Sequence, residues 1–300
     1  MPMEHTAGRP SAVEAARAGL QATWEAKWMV FLFFACNLLL AAAVAAPMHS
    51  AIADHLGRSQ VGEELARGFS AAWLTEFQIA YQDFLKGFSI AIIYGGILFL
   101  ALNTVLAAGA FEVFAAGQGA RLHAFGRGVG KYFARFVRVA LAASAMYFLA
   151  FWLWNDLAVR GLDRWFQDST REYWHFYLNW TRAAMLFFSV VTVNLLVEYA
   201  RADIVTRERA SSMAALGRGA GFILRKLPQV LAIYLGLGTL TALTILVYAT
   251  FARFFPQQSG VTVLVWFLVA QALLWARWMF RLSSWGAAVR FYGVRPAPEV

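Results

Sequence analysis

The chain has 300 residues, of which 60% are hydrophobic, 16% aromatic and only 14% charged, and its formal net charge is +9. A soluble domain carries roughly 25% charged residues, so this composition excludes an ordinary soluble protein. Several uncharged runs approach the roughly 20 residues that cross a bilayer as a helix. The runs do not alternate apolar and polar residues, which argues against a membrane β-barrel. The sequence therefore predicts an all-α integral membrane protein.

The N-terminal segment 1–27 mixes acidic and basic residues, unlike the start of a cleaved signal peptide. Ser11 and Glu14 have the spacing of a capping box. We therefore expect an amphipathic helix to begin there and to precede the first span. Pro47 is expected to end that span.

Six apolar runs are predicted to cross the membrane, and short interfacial helices are expected near 50–57 and 60–68. Thr75 with Gln78 and Ser169 with Glu172 are possible caps for the second and fourth membrane helices. The predicted spans are 28–46, 88–111, 139–154, 183–200, 230–252 and 261–280.

The basic residues predict the orientation of these spans. Segments 1–27, 115–138, 201–226 and 277–300 hold 18 of the 26 lysine and arginine residues. The positive-inside rule places such segments in the cytoplasm, so both termini are expected there. Arginine outnumbers lysine and alanine is abundant, which indicates a GC-rich genome and therefore a bacterial source. For a helical membrane protein of a bacterium, we expect the inner membrane. Since the cations lie beside apolar runs, they favour anionic lipids rather than nucleic acid as partners.

A sequence pattern occurs twice with an offset of 91 residues: Ala-x-Gly-Arg-Gly-x-Gly fills 124–130 and 215–221. The same offset also pairs Asn103 with Asn194, Glu112 with Asp203, Arg135 with Lys226, and Val139 with Val230. We interpret 1–300 as one polytopic domain with parallel repeats at about 88–154 and 179–245. Helices two and three would then correspond to helices four and five in the same orientation.

The glycine-rich segment 126–132 lacks the spacing of a Walker loop or a dinucleotide fingerprint, so nucleotide binding is rejected. The glycines are expected to let an interfacial helix turn into a span. The neighbouring cations are expected to contact lipid phosphates. These residues are Arg127, Lys131, Arg135, Arg218, Arg225 and Lys226.

Polar residues inside the predicted spans are candidates for an intramembrane site or for joining helices. Asn37, Asn103 and Asn194 carry amides that need partners in a membrane interior. Glu198 lies four residues after Asn194 and three before Arg201, so the three share one helix face. An ionisable group near a membrane is a functional candidate, whereas a Glu198–Arg201 salt bridge at the interface is the structural alternative and is favoured.

The sequence contains no recognisable catalytic or cofactor-binding pattern. His49, His55 and His175 are too scattered to predict a metal site, and Cys36 lacks a disulfide partner within the chain. Serine and histidine are scarce in the predicted spans. We therefore expect no cofactor and no enzymatic activity.

Two segments, 126–136 and 199–205, carry a resemblance to known proteins. The chain resembles uncharacterised bacterial six-helix membrane proteins that are loosely similar to the membrane domain of glycerophosphodiester phosphodiesterases. The resemblance implies a six-helix inner-membrane protein. We expect no phosphodiesterase catalytic domain in this chain, because no polar segment exceeds about forty residues.

Three functions are compatible with these observations. The first is a non-catalytic subunit or scaffold that acts through anionic lipids, membrane-protein partners or further copies of itself. The second is a transporter or permease for a small or lipid-like substrate, with a site between the repeats near Asn103 and Asn194. The third, an intramembrane enzyme, has the least support.

Overall fold

The computed structural model describes residues 10–57, 70–117, 122–157, 159–161, 173–208, 211–254 and 260–293. These residues are almost entirely helical and contain no strand, which confirms the prediction of an all-α protein. The helices are α1 (Ala12–Glu25), α2 (Lys27–Gly57), α3 (Ala71–Ala80), α4 (Gln82–Ala116), α5 (Leu122–Trp152), α6 (Tyr173–Arg207), α7 (Ser212–Arg225), α8 (Leu227–Phe254) and α9 (Gly260–Tyr292). A π-helical turn at Leu153–Leu157 follows α5.

Six helices among the described residues are long and apolar enough to cross a membrane, namely α2, α4, α5, α6, α8 and α9. They follow the order of the six predicted spans and contain all of them except the end of the third, 139–154, which runs past α5 into the π-helical turn. Their outer faces expose large apolar side chains, such as Ile93 on α4 and Phe188 on α6. Apolar side chains on these faces suit contact with lipid. The backbone polar groups of a helix are satisfied within the helix, as a lipid environment requires.

The predicted capping box at the start of α1 is confirmed. The Ser11 backbone N–H donates to Glu14 Oε2 at 2.7 Å, and the Glu14 N–H donates to Ser11 Oγ at 3.3 Å. These reciprocal bonds satisfy two backbone donors that a helix N-terminus otherwise leaves free. The backbone bond from Ser11 holds the pKa of Glu14 below its ordinary value.

Two other predicted helix boundaries are wrong. Pro47 does not end the first span, because α2 continues through it to Gly57 and includes the segment 50–57. Membrane helices tolerate proline when neighbouring groups satisfy the freed carbonyl. Thr75 is not a cap: α3 begins after Ser70, and the Thr75 hydroxyl donates to Ala71 within the helix. Residues 60–68, Ser169 and Glu172 lie outside the described residues.

The chain divides into two compact units. Unit 1 comprises the described residues within Met1–Glu25, Ala107–Gly238 and Arg281–Val300. The core of unit 1 contains Phe111, whose ring centroid lies 5.7 Å from that of Phe136 and 5.4 Å from that of Trp285. Close approach of α1 to α9 depends on Gly19, because a Cβ there would lie 2.4 Å from the Ser283 carbonyl oxygen.

Unit 2 comprises the described residues within Ala26–Leu106 and Thr239–Phe280. Phe33 on α2 is fully buried, and its ring packs 5.1 Å from Trp278 on α9. Between α8 and α9, Tyr248 packs edge-on against Trp266 at 5.3 Å. Aromatic contacts thus join α2 to α9 and α8 to α9 in unit 2.

Candidate functional site

In unit 1, a buried acid near the end of α4 pairs with an arginine near the start of α5. Glu112 is fully buried, and its Oε1 accepts from Arg127 Nη2 at 2.7 Å and from Arg127 Nε at 3.1 Å. The Arg127 side chain remains 51% exposed. Gly128 lets the two helices approach, because a Cβ there would lie 2.5 Å from the Glu112 Cβ. The ion pair therefore joins the end of α4 to the start of α5.

A second buried acid, Asp203 on α6, joins α6 to α7 and α9. Its Oδ2 accepts from Arg218 Nη2 at 2.6 Å and from Arg218 Nε at 3.0 Å. The Tyr292 hydroxyl donates to Oδ1 at 2.5 Å, and Arg207 Nε lies 3.2 Å from the same oxygen. The bond to Asp203 raises the pKa of the Arg218 guanidinium. The carboxylate is thus fully buried but well satisfied, as such burial requires.

Two of the predicted lipid contacts have carboxylate partners within the protein. Arg127 and Arg218 bind Glu112 and Asp203, because a buried acid in an apolar helix needs a cation. Lys131 likewise pairs with the Glu208 carboxylate at 2.9 Å. In both copies of the sequence pattern an acid precedes an arginine by 15 residues. This shared spacing was visible in the sequence and would have revealed both ion pairs.

The other three cations in that set differ in their surroundings. Arg135 donates to the Glu208 backbone carbonyl at 3.4 Å, and its guanidinium lies 5.8 Å from the Tyr132 ring centroid. Arg225 is exposed and Lys226 half-buried. Neither side chain has an ion pair or hydrogen bond to another described residue. These two therefore remain the clearest candidates for lipid phosphates.

The most unusual cluster in unit 1 surrounds Glu198, which the sequence had already singled out. Glu198 on α6 is only 3% exposed. Its Oε1 accepts a hydrogen bond from Ser284 Oγ on α9 at 2.6 Å. Its Oε2 lies 3.8 Å from Arg281 Nη1, which is within ion-pair range but too long for a hydrogen bond. The predicted salt bridge to Arg201 is therefore wrong, and the partner is Arg281.

Arg201 and Arg281 are both held against aromatic rings next to this carboxylate. The Arg201 Cζ lies 5.3 Å from the Phe136 ring centroid, and the Arg281 Cζ lies 5.5 Å from that of Trp285. The charges of both arginines act on Glu198 and on each other. One carboxylate thus faces two guanidinium groups, which leaves a net positive charge in a partly buried site.

Two tyrosines border the same cluster, Tyr147 on α5 and Tyr234 on α8, and both are half-buried. Arg281 interacts electrostatically with both tyrosines. Sequence reasoning missed Arg281, Ser284 and these tyrosines, because they lie on three other helices. The resulting set of arginine and hydroxyl donors around one acid is suited to an anion.

The structure brings two of the three predicted asparagines together. In unit 2, Asn103 Nδ2 donates to Asn37 Oδ1 at 2.8 Å, and Asn37 Nδ2 donates to Asn103 Oδ1 at 3.3 Å. These bonds join α2 to α4. Asn194 in unit 1 instead donates to the Val190 carbonyl of its own helix at 3.0 Å.

No group of three or more histidine, cysteine, aspartate or glutamate side chains in the described part of the chain is arranged to hold a metal ion. His55 packs against the rings of Trp73, Phe77 and Tyr81. Cys36 is a free, half-buried thiol.

No family model matches the chain, and neither a curated protein nor a solved structure shows significant similarity to it. The resemblance to the membrane domain of glycerophosphodiester phosphodiesterases therefore stays a prediction.

Proposed function

We propose that this chain is a non-catalytic integral protein of the bacterial inner membrane that acts through anionic lipids, as a scaffold or as a subunit with membrane-protein partners. The observation that carries the proposal is the uneven distribution of charge. The described residues of unit 1 contain fourteen lysines and arginines against seven aspartates and glutamates, whereas those of unit 2 contain four against three.

The surplus in unit 1 is not consumed by its buried acids. Glu112 and Asp203 each bind arginine, and Glu198 faces two of them. Arg225 and Lys226 remain without ion pairs among the described residues. A cation near an anionic membrane surface contributes roughly 1 kcal/mol of attraction. By the positive-inside rule this basic surface, and with it both termini, would face the cytoplasm.

The same proposal includes the duplication of a helix pair. Its support is that Glu112–Arg127 and Asp203–Arg218 make the same contact at positions offset by 91 residues. Gly128 packs against Ala108 and Glu112, and Gly219 packs against the matching position Tyr199 and its neighbour Ala200. Each pair fastens the end of one membrane helix to the glycine-containing segment that follows it.

The transporter is the alternative, and no contact of the asparagines favours it. The amide donors of Asn103 and Asn194 already bind Asn37, Phe99 and Val190. An amide that is engaged within its own unit has less capacity to bind a solute.

The proposal is tested by purifying the protein in mild detergent and measuring the ratio of anionic to zwitterionic lipids that remain bound. Replacing both Arg225 and Lys226 by glutamine should lower that ratio about two- to fivefold. Lys86→Gln is the control and should leave the ratio unchanged, because Lys86 is an exposed lysine of unit 2. A wild-type protein that retains no excess of anionic lipid would refute the proposal, and stoichiometric protein partners would favour the subunit role.

A further inference from the structure

We infer that Arg201 and Arg281 bind the phosphate group of an anionic phospholipid, and that Glu198 accepts a hydrogen bond from a hydroxyl group of the same headgroup. This inference rests on the proposed function, since it names the lipid chemistry and the residues that would recognise it. The inferred site lies within unit 1, where α6 and α9 meet.

Two buried polar atoms of the cluster have no hydrogen-bond partner among the described residues. They are Glu198 Oε2, an acceptor, and Arg201 Nε, a donor. Buried polar groups nearly always have partners in folded proteins. A buried acceptor and a buried donor that both lack hydrogen-bond partners in one cluster therefore point to a ligand that offers both kinds of group.

The arginines are arranged to bind an anion with more than one oxygen. The guanidinium groups of Arg201 and Arg281 lie over the rings of Phe136 and Trp285, and this cation–π contact does not use their N–H donors. Arg281 makes no hydrogen bond to Glu198, so its donors are not consumed by that carboxylate. Two guanidinium forks match a phosphate, whose several oxygens can accept from both at once.

The charge balance selects among phospholipids. Two arginines and one glutamate leave one net positive charge, which a phosphodiester neutralises. A headgroup with hydroxyl groups, as in phosphatidylglycerol, also supplies the donor for Glu198 Oε2. Phosphatidylethanolamine supplies a donor but adds a positive charge, and phosphatidylcholine supplies no donor. Uncompensated charge in a partly buried site is costly, so phosphatidylglycerol fits best.

Part of the cluster reaches the protein surface. The Arg281 side chain is 33% exposed, and Arg201, Tyr147 and Tyr234 are half-buried. Phe148, next to Tyr147, exposes most of its surface and offers an apolar contact for an acyl chain. A lipid could thus place its phosphate in the cluster while its chains stay on the apolar outer surface.

The test is a native mass-spectrometric titration of the full chain with phosphatidylglycerol, phosphatidylethanolamine and phosphatidylcholine of identical acyl chains. We expect phosphatidylglycerol to bind the wild type at least tenfold more tightly than phosphatidylcholine. Arg201→Gln and Arg281→Gln should each weaken phosphatidylglycerol binding about tenfold and leave phosphatidylcholine binding unchanged. Glu198→Gln should reduce the preference for phosphatidylglycerol over phosphatidylmethanol, an anionic phosphodiester whose headgroup has no hydrogen-bond donor.

The matched control is Arg290→Gln. Arg290 is a half-buried arginine on the same helix as Arg281, and it has no ion pair or hydrogen bond to another described residue through its side chain. Its removal should leave phosphatidylglycerol binding unchanged. If a glutamine variant fails to fold, Arg201→Lys and Arg281→Lys keep the charge but lose the planar fork, and they should still weaken binding several-fold.

Equal loss of phosphatidylglycerol binding in the Arg290 control, or undiminished binding in both site variants, would overturn the inference. Inorganic phosphate is the soluble comparison, and its binding in place of any lipid would overturn the assignment to a lipid. If anionic lipids are enriched in the wild type and remain so in the site variants, only this inference fails. If the wild type shows no enrichment, the proposed function fails as well.

Discussion

Asp203 is the acid whose removal should cost the most stability, because it joins α6 to both α7 and α9. Asp203→Asn leaves Arg218, Arg207 and Tyr292 without their carboxylate and should lower the free energy of unfolding by about 3–5 kcal/mol. Glu112→Gln should cost less, because its partner Arg127 is half-exposed and can turn to water or lipid phosphate. Thermal unfolding in detergent measures both. Equal losses would contradict the ranking.

Glu14 should make the stability of α1 depend on pH. Because its pKa is lower in the folded protein than in the unfolded chain, its contribution is complete above the ordinary carboxyl pKa of about 4.3. That contribution is lost as the pH falls through the lowered value. Amide hydrogen exchange of α1, corrected for intrinsic rates, should therefore accelerate only in acid. Glu14→Gln keeps a capping side chain but does not titrate, and the acid-specific acceleration should disappear.

At the residue scale, the sequence predicted candidates better than partners. Glu198 could be singled out because an acid next to an apolar run is costly without a function or a partner. Its partners could not be predicted, because Ser284 is 86 residues away and only the packing of α6 on α9 brings it near. Glu112 and Asp203 each lie 15 residues before their arginine partners. Because the doubled sequence pattern contains this spacing twice, these two ion pairs could have been predicted.

At the scale of helices, the glycines of the repeated segment should differ sharply in their tolerance of alanine. Gly128 faces α4, where a Cβ would lie 2.7 Å from the Ala108 carbonyl oxygen, whereas Gly126 and Gly130 on the same helix face open space. Gly128→Ala should destabilise the protein by about 1–3 kcal/mol through overpacking. Gly126→Ala and Gly130→Ala should be neutral or slightly stabilising.

The second copy gives an internal comparison for the same measurement. A Cβ at Gly219 would lie 3.2 Å from the Ala200 backbone nitrogen, a milder clash than at Gly128. The loss of stability in Gly219→Ala, measured by thermal unfolding, should therefore fall between the losses in Gly128→Ala and Gly126→Ala. A loss at Gly126 as large as that at Gly128 would contradict the assignment of a packing role to Gly128 alone.

The six candidate membrane helices were predictable in number and order, because apolar runs long enough to cross a membrane are a strong sequence pattern. Their ends were predictable only where local chemistry decides them. The Ser11–Glu14 capping box was identified correctly, because both partners lie within one turn. Pro47 misled because a helix supported by its neighbours can continue through proline.

Across the whole molecule, positive charge is unevenly distributed. The described residues of unit 1 carry twice as many basic as acidic residues, and the described residues of unit 2 are nearly balanced. The sequence predicted that basic residues concentrate in segments 1–27, 115–138, 201–226 and 277–300, and the described parts of these segments belong mostly to unit 1. It could not predict that three of the six proposed lipid-binding cations are held by acids or that two arginines share Glu198, since both depend on contacts between helices.

Cysteine accessibility tests the proposed orientation, in which the basic surface of unit 1 faces the cytoplasm. In a Cys36→Ser background, single cysteines replace Arg225 and Lys86, which three predicted spans separate. In intact cells, a membrane-impermeant maleimide should label the cysteine at position 86 and spare the one at position 225 until the membrane is opened. Labelling of position 225 alone, or equal labelling of both positions, would contradict the account.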